Sequence, residues 1–213
     1  GSGAPMSATG RSDVRRADDN YSTPTWCTLR LLEAIPDLLP LGGLWYEPAC
    51  GDGAIVRAVR EWDGSFSGTW MLADTRPEAV EAARSAEPDA ACAVQDFLGA
   101  PAPECDVLIT NPPFSLAEQF VRHARAAQRR VPIVAMLLRL CWLSSASRSG
   151  LLHHDMPDVY VLPNRPSFTG TGTDSTDYAW MVWHRVGVVR SGTVQVLATT
   201  PRAERAARRQ DKW

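Results

Sequence analysis

The sequence predicts an α/β fold in which helices cover both faces of a mostly parallel β-sheet, a three-layer sandwich. Short apolar segments alternate along the chain with amphipathic ones, as strands alternate with helices in βαβ units. The run from Ile133 to Leu138 is apolar without interruption, which is typical of a parallel strand covered on both faces. With 213 residues, of which 45% are hydrophobic, the chain has material for one substantial core. We therefore expect a single domain over residues 21–200.

The segments outside this domain are polar. Residues 1–20 lack periodicity and are expected to be a tag remnant followed by a flexible arm, and residues 201–213 are expected to be a basic tail. No apolar run reaches membrane-spanning length and no signal peptide is evident, which predicts a cytoplasmic protein without a membrane partner. The five cysteines form no CxxC pair, and His153-His154-Asp155 lacks a further ligand at suitable spacing. We expect reduced thiols and no metal.

Seven segments have the composition of strands, and residues 193–198 are a candidate edge strand. The seven are residues 44–46, 69–73, 91–95, 106–110, 133–138, 158–162 and 178–183. Thr23-Pro24 resembles an N-cap followed by a proline at the first helical position, and the helix should end or kink at Pro36. Capping-box patterns at Thr75–Glu78 and Ser115–Glu118 predict two further helix starts.

Acidic residues end three of the predicted strands. The carboxyl ends of parallel strands meet at one edge of a sheet, so Glu47, Asp74 and Asp96 should lie close together. Glu47 suits a positively charged amino group. Asp74 can accept hydrogen bonds from both ribose hydroxyls, and Asp96 can accept from an adenine amino group while Phe97 packs nearby. Together they describe a pocket for an adenosine that carries a cationic amino-acid tail.

A glycine-containing turn follows the first strand. Gly51 and Gly53 let the backbone approach a ligand closely, and the next helix presents free N–H groups. The pattern is not a dinucleotide-binding fingerprint, because Val56 stands where the third glycine would be. A lone Gly-Asp-Gly is often only a tight turn, so this signal is weak by itself.

The tetrapeptide Asn111-Pro112-Pro113-Phe114 follows the fourth strand. Proline excludes the preceding residue from the helical region, so the two prolines make a rigid extended corner. That corner would present the Asn111 side-chain oxygen and the Pro112 carbonyl to the two hydrogens of a planar amino group, while Phe114 stacks on the ring that carries it. Asn-Pro also opens ordinary turns. A simple turn explains neither the phenylalanine nor the upstream acids, which favours catalysis by orientation and electrostatics.

On these motifs the chain resembles the class I amino-methyltransferases that depend on S-adenosylmethionine, and specifically small phage and bacterial DNA adenine-N6 methyltransferases with an NPPF-type tetrapeptide. The resemblance covers about residues 21–184 and implies a Rossmann-like sheet of seven strands whose last strand is antiparallel. It implies catalytic roles for Asn111, Pro112, Pro113 and Phe114, and stacking of a flipped base on Phe168 as well as Phe114. The residues that it assigns to S-adenosylmethionine are Tyr21, Thr23, Pro24, Glu47, Pro48, Ala49, Cys50, Gly51, Gly53, Asp74, Asp96, Phe97 and Asn111.

The same resemblance implies double-stranded DNA as the partner, in restriction-modification or phage biology, with a monomer or a homodimer as the assembly. Only about 30 residues follow Trp183, fewer than a recognition domain needs. Sequence reading would then depend on the polar segments 144–150 and 167–176, on Trp142, on the tail or on a second subunit. Clustered basic residues are candidates for phosphate contact, namely Arg122, Arg125, Arg129 and Arg130 in one predicted helix and Arg202, Arg205, Arg208, Arg209 and Lys212 in the tail.

Three other functions stay open on the sequence. An RNA amino-methyltransferase acting on adenine or guanine and a protein glutamine N5-methyltransferase use the same tetrapeptide. A non-catalytic binding module could keep the fold. The intact tetrapeptide and the intact strand-end acids favour an enzyme over such a module.

Overall fold

The computed structural model describes residues 22–63, 65–168, 175–184 and 192–207. Tyr21, the predicted arm at residues 1–20 and residues 208–213 of the predicted tail lie outside the described residues. The helices of the described part are α1 (Thr25–Ala34), α2 (Ala54–Trp62), α3 (Pro77–Ala86), α4 (Ala117–Ala126), α5 (Ser149–His154) and α6 (Arg202–Ala207). Its strands are β1 (Leu44–Glu47), β2 (Thr69–Asp74), β3 (Ala91–Val94), β4 (Val107–Thr110), β5 (Ile133–Arg139), β6 (Asp158–Val161), β7 (Tyr178–His184) and β8 (Val194–Val196). Short 3-10 helices occupy Phe97–Gly99, Phe114–Leu116, Leu140–Leu143 and Ala146–Arg148.

All described strands belong to one sheet, in the order β3-β2-β1-β4-β5-β7-β6-β8. The predicted α/β class and the mostly parallel sheet are confirmed, and β7, the last of the seven expected strands, is antiparallel to both β5 and β6. The strand count was one too low, because the candidate edge segment forms β8 and pairs in parallel with β6. The described residues therefore form eight strands instead of seven.

Two apolar layers cover the sheet, and β5 shows how one strand serves both. Ile133, Ala135 and Leu137 face the layer that includes residues of α1 and α2. The alternate residues Val134 and Met136 face the other layer, to which α4 contributes. A strand that is buried on both faces must be apolar throughout, because successive side chains point to opposite sides of the sheet. The uninterrupted run recognised in the sequence has this cause.

Helix starts differ from the sequence expectation. Helix α1 begins at Thr25 after Pro24, whose backbone is not helical, and the Thr23 hydroxyl accepts a hydrogen bond from Asn111 instead of capping the helix. Helices α3 and α4 have Arg76 and Leu116 at their N-caps, without side-chain caps, so both begin one residue later than the capping-box patterns predicted. At α4 the reason is visible, because the carboxylate of Glu118 pairs with Arg122 and Arg148 instead of reaching back to the backbone.

The polar segment 144–150 is mostly helical. It forms a 3-10 helix and the start of α5. Arg148 holds it in place, because its Nε donates to the Trp142 carbonyl at 2.7 Å and its guanidinium lies 3.5 Å from Glu118. Trp142 itself is 6% exposed and packs edge-on against Trp183, so the core holds the ring that was a candidate substrate contact. Of the second polar segment, residues 169–174 lie outside the described residues.

The first residues of the predicted tail form helix α6. Glu204 in that helix pairs with Arg30 of α1 at 2.6 Å, which ties this part of the tail to the domain. The boundaries at residues 20 and 200 stay a prediction. None of the described helices combines the length and the apolar character that a membrane crossing requires.

Candidate active site

The topology selects one place on the sheet for a ligand. The chain runs outward through β1, β2 and β3 and then returns to β4, which lies against the other side of β1. Ligands of open α/β sheets bind at such a switch point, beyond the carboxyl ends of the strands. Here a cavity of about 310 Å³ opens at this edge. It is lined by Ser22, Pro48, Ala49, Gly51, Asp52, Asp74, Thr75, Arg76, Glu78, Ala79, Ala82, Asp96, Phe97, Asn111, Pro113, Leu116 and Phe120.

The turn after β1 forms one wall of this cavity. Gly51 and Gly53 have φ angles of 50° and 76°, a backbone region that side chains with a Cβ disfavour. Gly53 also lies at the start of α2, where an added Cβ would stand 2.9 Å from Cβ of Ala86. Ser22 donates to both carboxylate oxygens of Asp52, at 3.1 and 2.9 Å, and so fixes the Ser-Thr-Pro segment over the turn.

Not every residue assigned to the turn faces the cavity. Pro48, Ala49 and Gly51 line it. Cys50 is instead buried in the core beneath the turn, and burial, with the charge of Glu47 as a smaller contribution, raises the pKa of its thiol. Among the described residues, Cys50 and Gly53 thus support the wall and do not form its surface.

Glu47, the last residue of β1, does not line the cavity but immediately precedes Pro48, which does. Glu47 is only 2% exposed, and its Oε2 atom has no hydrogen-bond partner. Burial raises the pKa of this carboxyl well above its usual range, repulsion by Asp52 and Asp74 adds to the shift, and Arg57 opposes it. An unpartnered carboxylate oxygen at such depth is costly unless a cationic ligand approaches it.

Asp74, the last residue of β2, is surrounded by donors. Its Oδ2 accepts from the backbone N–H of Gly51 at 3.1 Å, and its Oδ1 accepts from the backbone N–H of Arg76 at 3.0 Å. The Arg76 guanidinium closes a bidentate pair, with Nε to Oδ1 at 3.0 Å and Nη2 to Oδ2 at 3.2 Å. These four bonds use the acceptor capacity of the carboxylate. Arg76 must therefore move for Asp74 to accept ribose hydroxyls.

Asp96 and Phe97 complete the far side of the cavity. Asp96 caps the 3-10 helix Phe97–Gly99, because its Oδ1 accepts from the backbone N–H of Leu98 at 3.0 Å. The Phe97 ring is buried, with its centroid 5.0 Å from that of Phe120 and 4.6 Å, edge-on, from that of His123. This packing gives the cavity a rigid aromatic wall beside an acceptor, as the sequence predicted.

Asn111 stands where β4 ends. Its Nδ2 donates to the Thr23 hydroxyl at 3.1 Å, and its Oδ1 is buried without a hydrogen-bond partner. The bond to Thr23 fixes which atom of the amide is left to receive a donor. Asn111 and Pro113 line the cavity, whereas Pro112 is buried.

The fourth residue of the tetrapeptide belongs to a separate aromatic cluster, formed by Phe114, Phe168 and Tyr178. Ring centroids are 5.9 Å apart for Phe114 and Phe168, 5.6 Å for Phe114 and Tyr178, and 5.0 Å for Phe168 and Tyr178. The guanidinium carbon of Arg139 lies 4.5 Å from the centroid of the Phe114 ring, in a cation–π contact. The sequence-predicted pair of Phe114 and Phe168 is thus brought together.

The sequence analysis missed two charged residues of this region, Arg76 and Arg139. Arg139 does carry one signal in retrospect, because it is the first charged residue after the apolar run of β5 and so marks the edge where that strand ends. The clustered arginines of the α4 region, predicted as candidates for phosphate contact, do not lead to the site. Arg122 and Arg125 are paired with Glu118 and Asp155.

The other two arginines of that helical region, Arg129 and Arg130, lie at the opposite edge of the sheet. The Arg130 carbonyl accepts from the backbone N–H of Cys105, just before β4 begins. A helix that follows a parallel strand runs back toward the strands' amino ends, so its last turn is far from the site. Phosphate contact through this pair stays a prediction, and it would lie on the side of the sheet opposite the tetrapeptide.

No family model matches the sequence, and no curated protein sequence is significantly similar to it. Solved structures are similar in fold. The methyltransferase subunit of a type I restriction-modification system from Streptococcus thermophilus covers 79% of this chain with a TM-score of 0.64 and 14% identity. A protein from Listeria monocytogenes, described as a putative class I S-adenosylmethionine-dependent methyltransferase, covers 90% with a TM-score of 0.60 and 11% identity. The 23S rRNA methyltransferase ErmE covers 81% with a TM-score of 0.59 and 16% identity.

The chain has the class I methyltransferase fold. It spans 46% of the Streptococcus subunit, 68% of the Listeria protein and 73% of ErmE. Identities of 11–16% carry the class I methyltransferase fold and nothing finer. The cofactor and the substrate must be argued from the site.

Proposed function

We propose that the protein is an S-adenosylmethionine-dependent methyltransferase that acts on the exocyclic amino group of a nucleic-acid base, specifically N6 of adenine in double-stranded DNA. One observation carries the proposal. The tetrapeptide lies between the cavity and the aromatic cluster, because Asn111 and Pro113 line the cavity while Phe114 packs in the cluster. A methyl donor on one side and a base on the other would meet at Asn111.

The cavity has the chemistry that S-adenosylmethionine requires. Beside the cavity wall, Glu47 offers a buried oxygen without a partner, which would suit the ammonium group of the methionine part. Asp74, freed from Arg76, would accept the ribose hydroxyls, and Asp96 with Phe97 would hold the adenine. The volume of about 310 Å³ lies at the lower end of the range for small-molecule sites. When bound, S-adenosylmethionine supplies an electrophilic methyl group on a sulfonium sulfur.

The residues at the tetrapeptide would activate the amino group by position. Conjugation with the ring makes its lone pair a poor nucleophile. Oδ1 of Asn111 would accept one of its hydrogens and favour a tetrahedral nitrogen aimed at the cavity, while Phe114 fixes the plane of the base. The amino nitrogen would receive the methyl group that the bound cofactor supplies as the carbon–sulfur bond breaks, and it would then lose one proton to solvent. The neutral amide of Asn111 is too weak a base to take that proton, but the cationic nitrogen is acidic enough to give it to water, so no strong general base is required.

Substitution of Asn111 tests this mechanism. Asn111→Ala removes the acceptor and should lower transfer by about two orders of magnitude, the loss typical of one oriented hydrogen-bonding group in an active site. Asn111→Asp keeps an acceptor and should retain more activity. Cofactor binding, measured by calorimetry, should change little in either variant. Unchanged turnover in Asn111→Ala would refute the mechanism.

The choice of DNA rests on Ser22-Thr23-Pro24 and on Arg165-Pro166-Ser167-Phe168, two segments that resemble motifs of DNA adenine-N6 methyltransferases. Thr23 holds Asn111, and Phe168 packs on Phe114. An RNA base stays the second candidate, favoured by one observation: the chain spans 73% of the rRNA methyltransferase ErmE but 46% of the restriction-modification subunit. Tritium transfer from labelled cofactor to duplex DNA, total RNA and protein would distinguish DNA, RNA and glutamine as substrates.

Transfer to any of these acceptors would also exclude a non-catalytic module. Long-read sequencing of DNA from cells that express the protein would then locate modified adenines and their sequence context. Adenines left unmodified in such cells, together with labelled RNA in the transfer assay, would decide for the RNA alternative.

A further inference from the structure

We propose that Arg139 is the mobile second wall of the base pocket, so that a flipped base inserts between its guanidinium and the Phe114 ring. The inference rests on the proposed function for the identity of the ligand. Its own observation is the cation–π contact of 4.5 Å between Arg139 and Phe114, which occupies the ring face that a stacked base needs. In the base-free protein the guanidinium stands in place of the base.

The backbone fixes where Arg139 lies. It is the last residue of β5 and pairs in register with Tyr178, the first residue of β7. The next backbone N–H, that of Leu140, donates to the Asp177 carbonyl at 2.8 Å. Alternation along β5 also puts Arg139 on the same face of the sheet as Leu137, in the layer to which Tyr178 and Phe168 belong. The sheet thus delivers the arginine to the aromatic cluster.

Distances identify Arg139 as the wall that moves. A base between two flat groups needs about 3.5 Å on each side, or about 7 Å between them. The present separation is 4.5 Å, so the guanidinium must withdraw by about 2.5 Å. Tyr178 is fully buried and Phe168 is 9% exposed, whereas Arg139 is exposed. Of these three residues, only Arg139 lies outside the buried core, so its displacement leaves the core packing unchanged.

The chemistry of the guanidinium suits this exchange. It is planar, stacks on aromatic rings and on bases alike, and is weakly hydrated. It therefore loses one stacking partner and gains another when a base enters. Lysine has the charge without the plane, and glutamine has a small plane without the charge. These two replacements separate stacking from charge.

The experiment compares Arg139→Lys and Arg139→Gln with the wild type and with Arg84→Lys, a control at an exposed arginine paired with Glu81 within α3. Methyl transfer to genomic DNA free of adenine methylation gives kcat/KM at several salt concentrations. Base stacking contributes about 1–3 kcal/mol, so both Arg139 variants should lose about fivefold to 150-fold in kcat/KM. Arg139→Lys should keep the wild-type salt dependence, because its charge is retained. Cofactor KM should not change, and the control should match the wild type.

A second readout is independent of catalysis. A single-stranded oligonucleotide containing 2-aminopurine should bind the wild type with quenched fluorescence, because the base stacks between two flat groups. Binding to Arg139→Lys, followed by anisotropy, should occur with clearly weaker quenching. Quenching without any methyl transfer by the wild type would support the pocket and refute the proposed function.

Two outcomes would overturn the inference while the proposed function stands. One is recovery of at least half of the wild-type kcat/KM by Arg139→Lys, which would mean that only the charge matters. The other is equal quenching by the wild type and both Arg139 variants.

Discussion

Glu47→Gln should weaken cofactor binding and at the same time stabilise the cofactor-free protein above acidic pH. The carboxylate is buried, one of its oxygens has no partner, and its pKa is raised mainly by burial. A raised pKa means that the folded protein binds more protons than the unfolded chain, whose glutamate titrates near about 4.3. The wild type is therefore at its most stable below that pH and loses stability as pH rises through the folded-state pKa. Glutamine carries no proton to lose and removes this dependence.

Cofactor binding should depend on pH in the opposite direction. A cationic amino group beside Glu47 favours the ionised carboxylate and lowers its pKa, so cofactor binding should release a proton from the wild type and tighten as pH rises. A hydrogen bond to a charged group contributes about 1.5–3 kcal/mol, which corresponds to a loss of roughly tenfold to hundredfold in affinity when the charge is removed. The substitution keeps the size of the side chain, so packing changes little.

Two measurements check these expectations. Titration calorimetry in buffers of different ionisation enthalpy counts the protons released on binding, and the wild type should release more than Glu47→Gln. Thermal denaturation at pH 5 and pH 8 should show the variant gaining on the wild type as pH rises. Equal affinity and equal proton release in the two proteins would refute the assignment of Glu47 to the ammonium group.

Two further predictions use matched pairs. Gly53→Ala should destabilise the fold by about 2–4 kcal/mol, because a positive φ is combined with a 2.9 Å approach to Cβ of Ala86. Gly51→Ala also has a positive φ but open space around the new Cβ, and should cost only about 1 kcal/mol. Urea denaturation measures both losses of stability, and equal losses would contradict the steric explanation. Thr23→Val removes the hydroxyl that accepts a hydrogen bond from Asn111 and should lower kcat about tenfold at saturating cofactor. Thr23→Ser keeps the hydroxyl and should retain activity. Equal kcat values in the two variants would show that the hydrogen bond is dispensable.

The sheet and the strand-end acids were predictable because their information is local. A buried parallel strand has to be apolar, and the residue after such a strand lies at the ligand-binding edge whatever the rest of the fold does. Glu47, Asp74 and Asn111 were found in this way. Their mutual proximity then follows from strand order, which βαβ connections restrict to few alternatives.

Arg76 and Arg139 were not predictable, because what they contact depends on tertiary structure. The position of Arg139 over Phe114 depends on the register of β5 against β7, two strands separated by almost forty residues. Arg76 follows Asp74 by two residues, but its side chain is free to turn either way from the sequence alone. The displaced start of α4 has a similar cause, because the Glu118 carboxylate pairs with Arg148, which is distant in the sequence.

The tetrapeptide explains why one short segment can serve two ligands. Asn111 and Phe114 are three residues apart, and the prolines between them keep the chain from turning both side chains to the same side. One end of the segment therefore faces the cavity and the other faces the aromatic cluster. A transferred group has to pass at the asparagine, where the unpartnered Oδ1 lies. Under the proposed function, the aromatic cluster and Arg139 would hold the acceptor base where the carboxyl end of β5 meets the amino end of β7, remote from the arginines that end the α4 region.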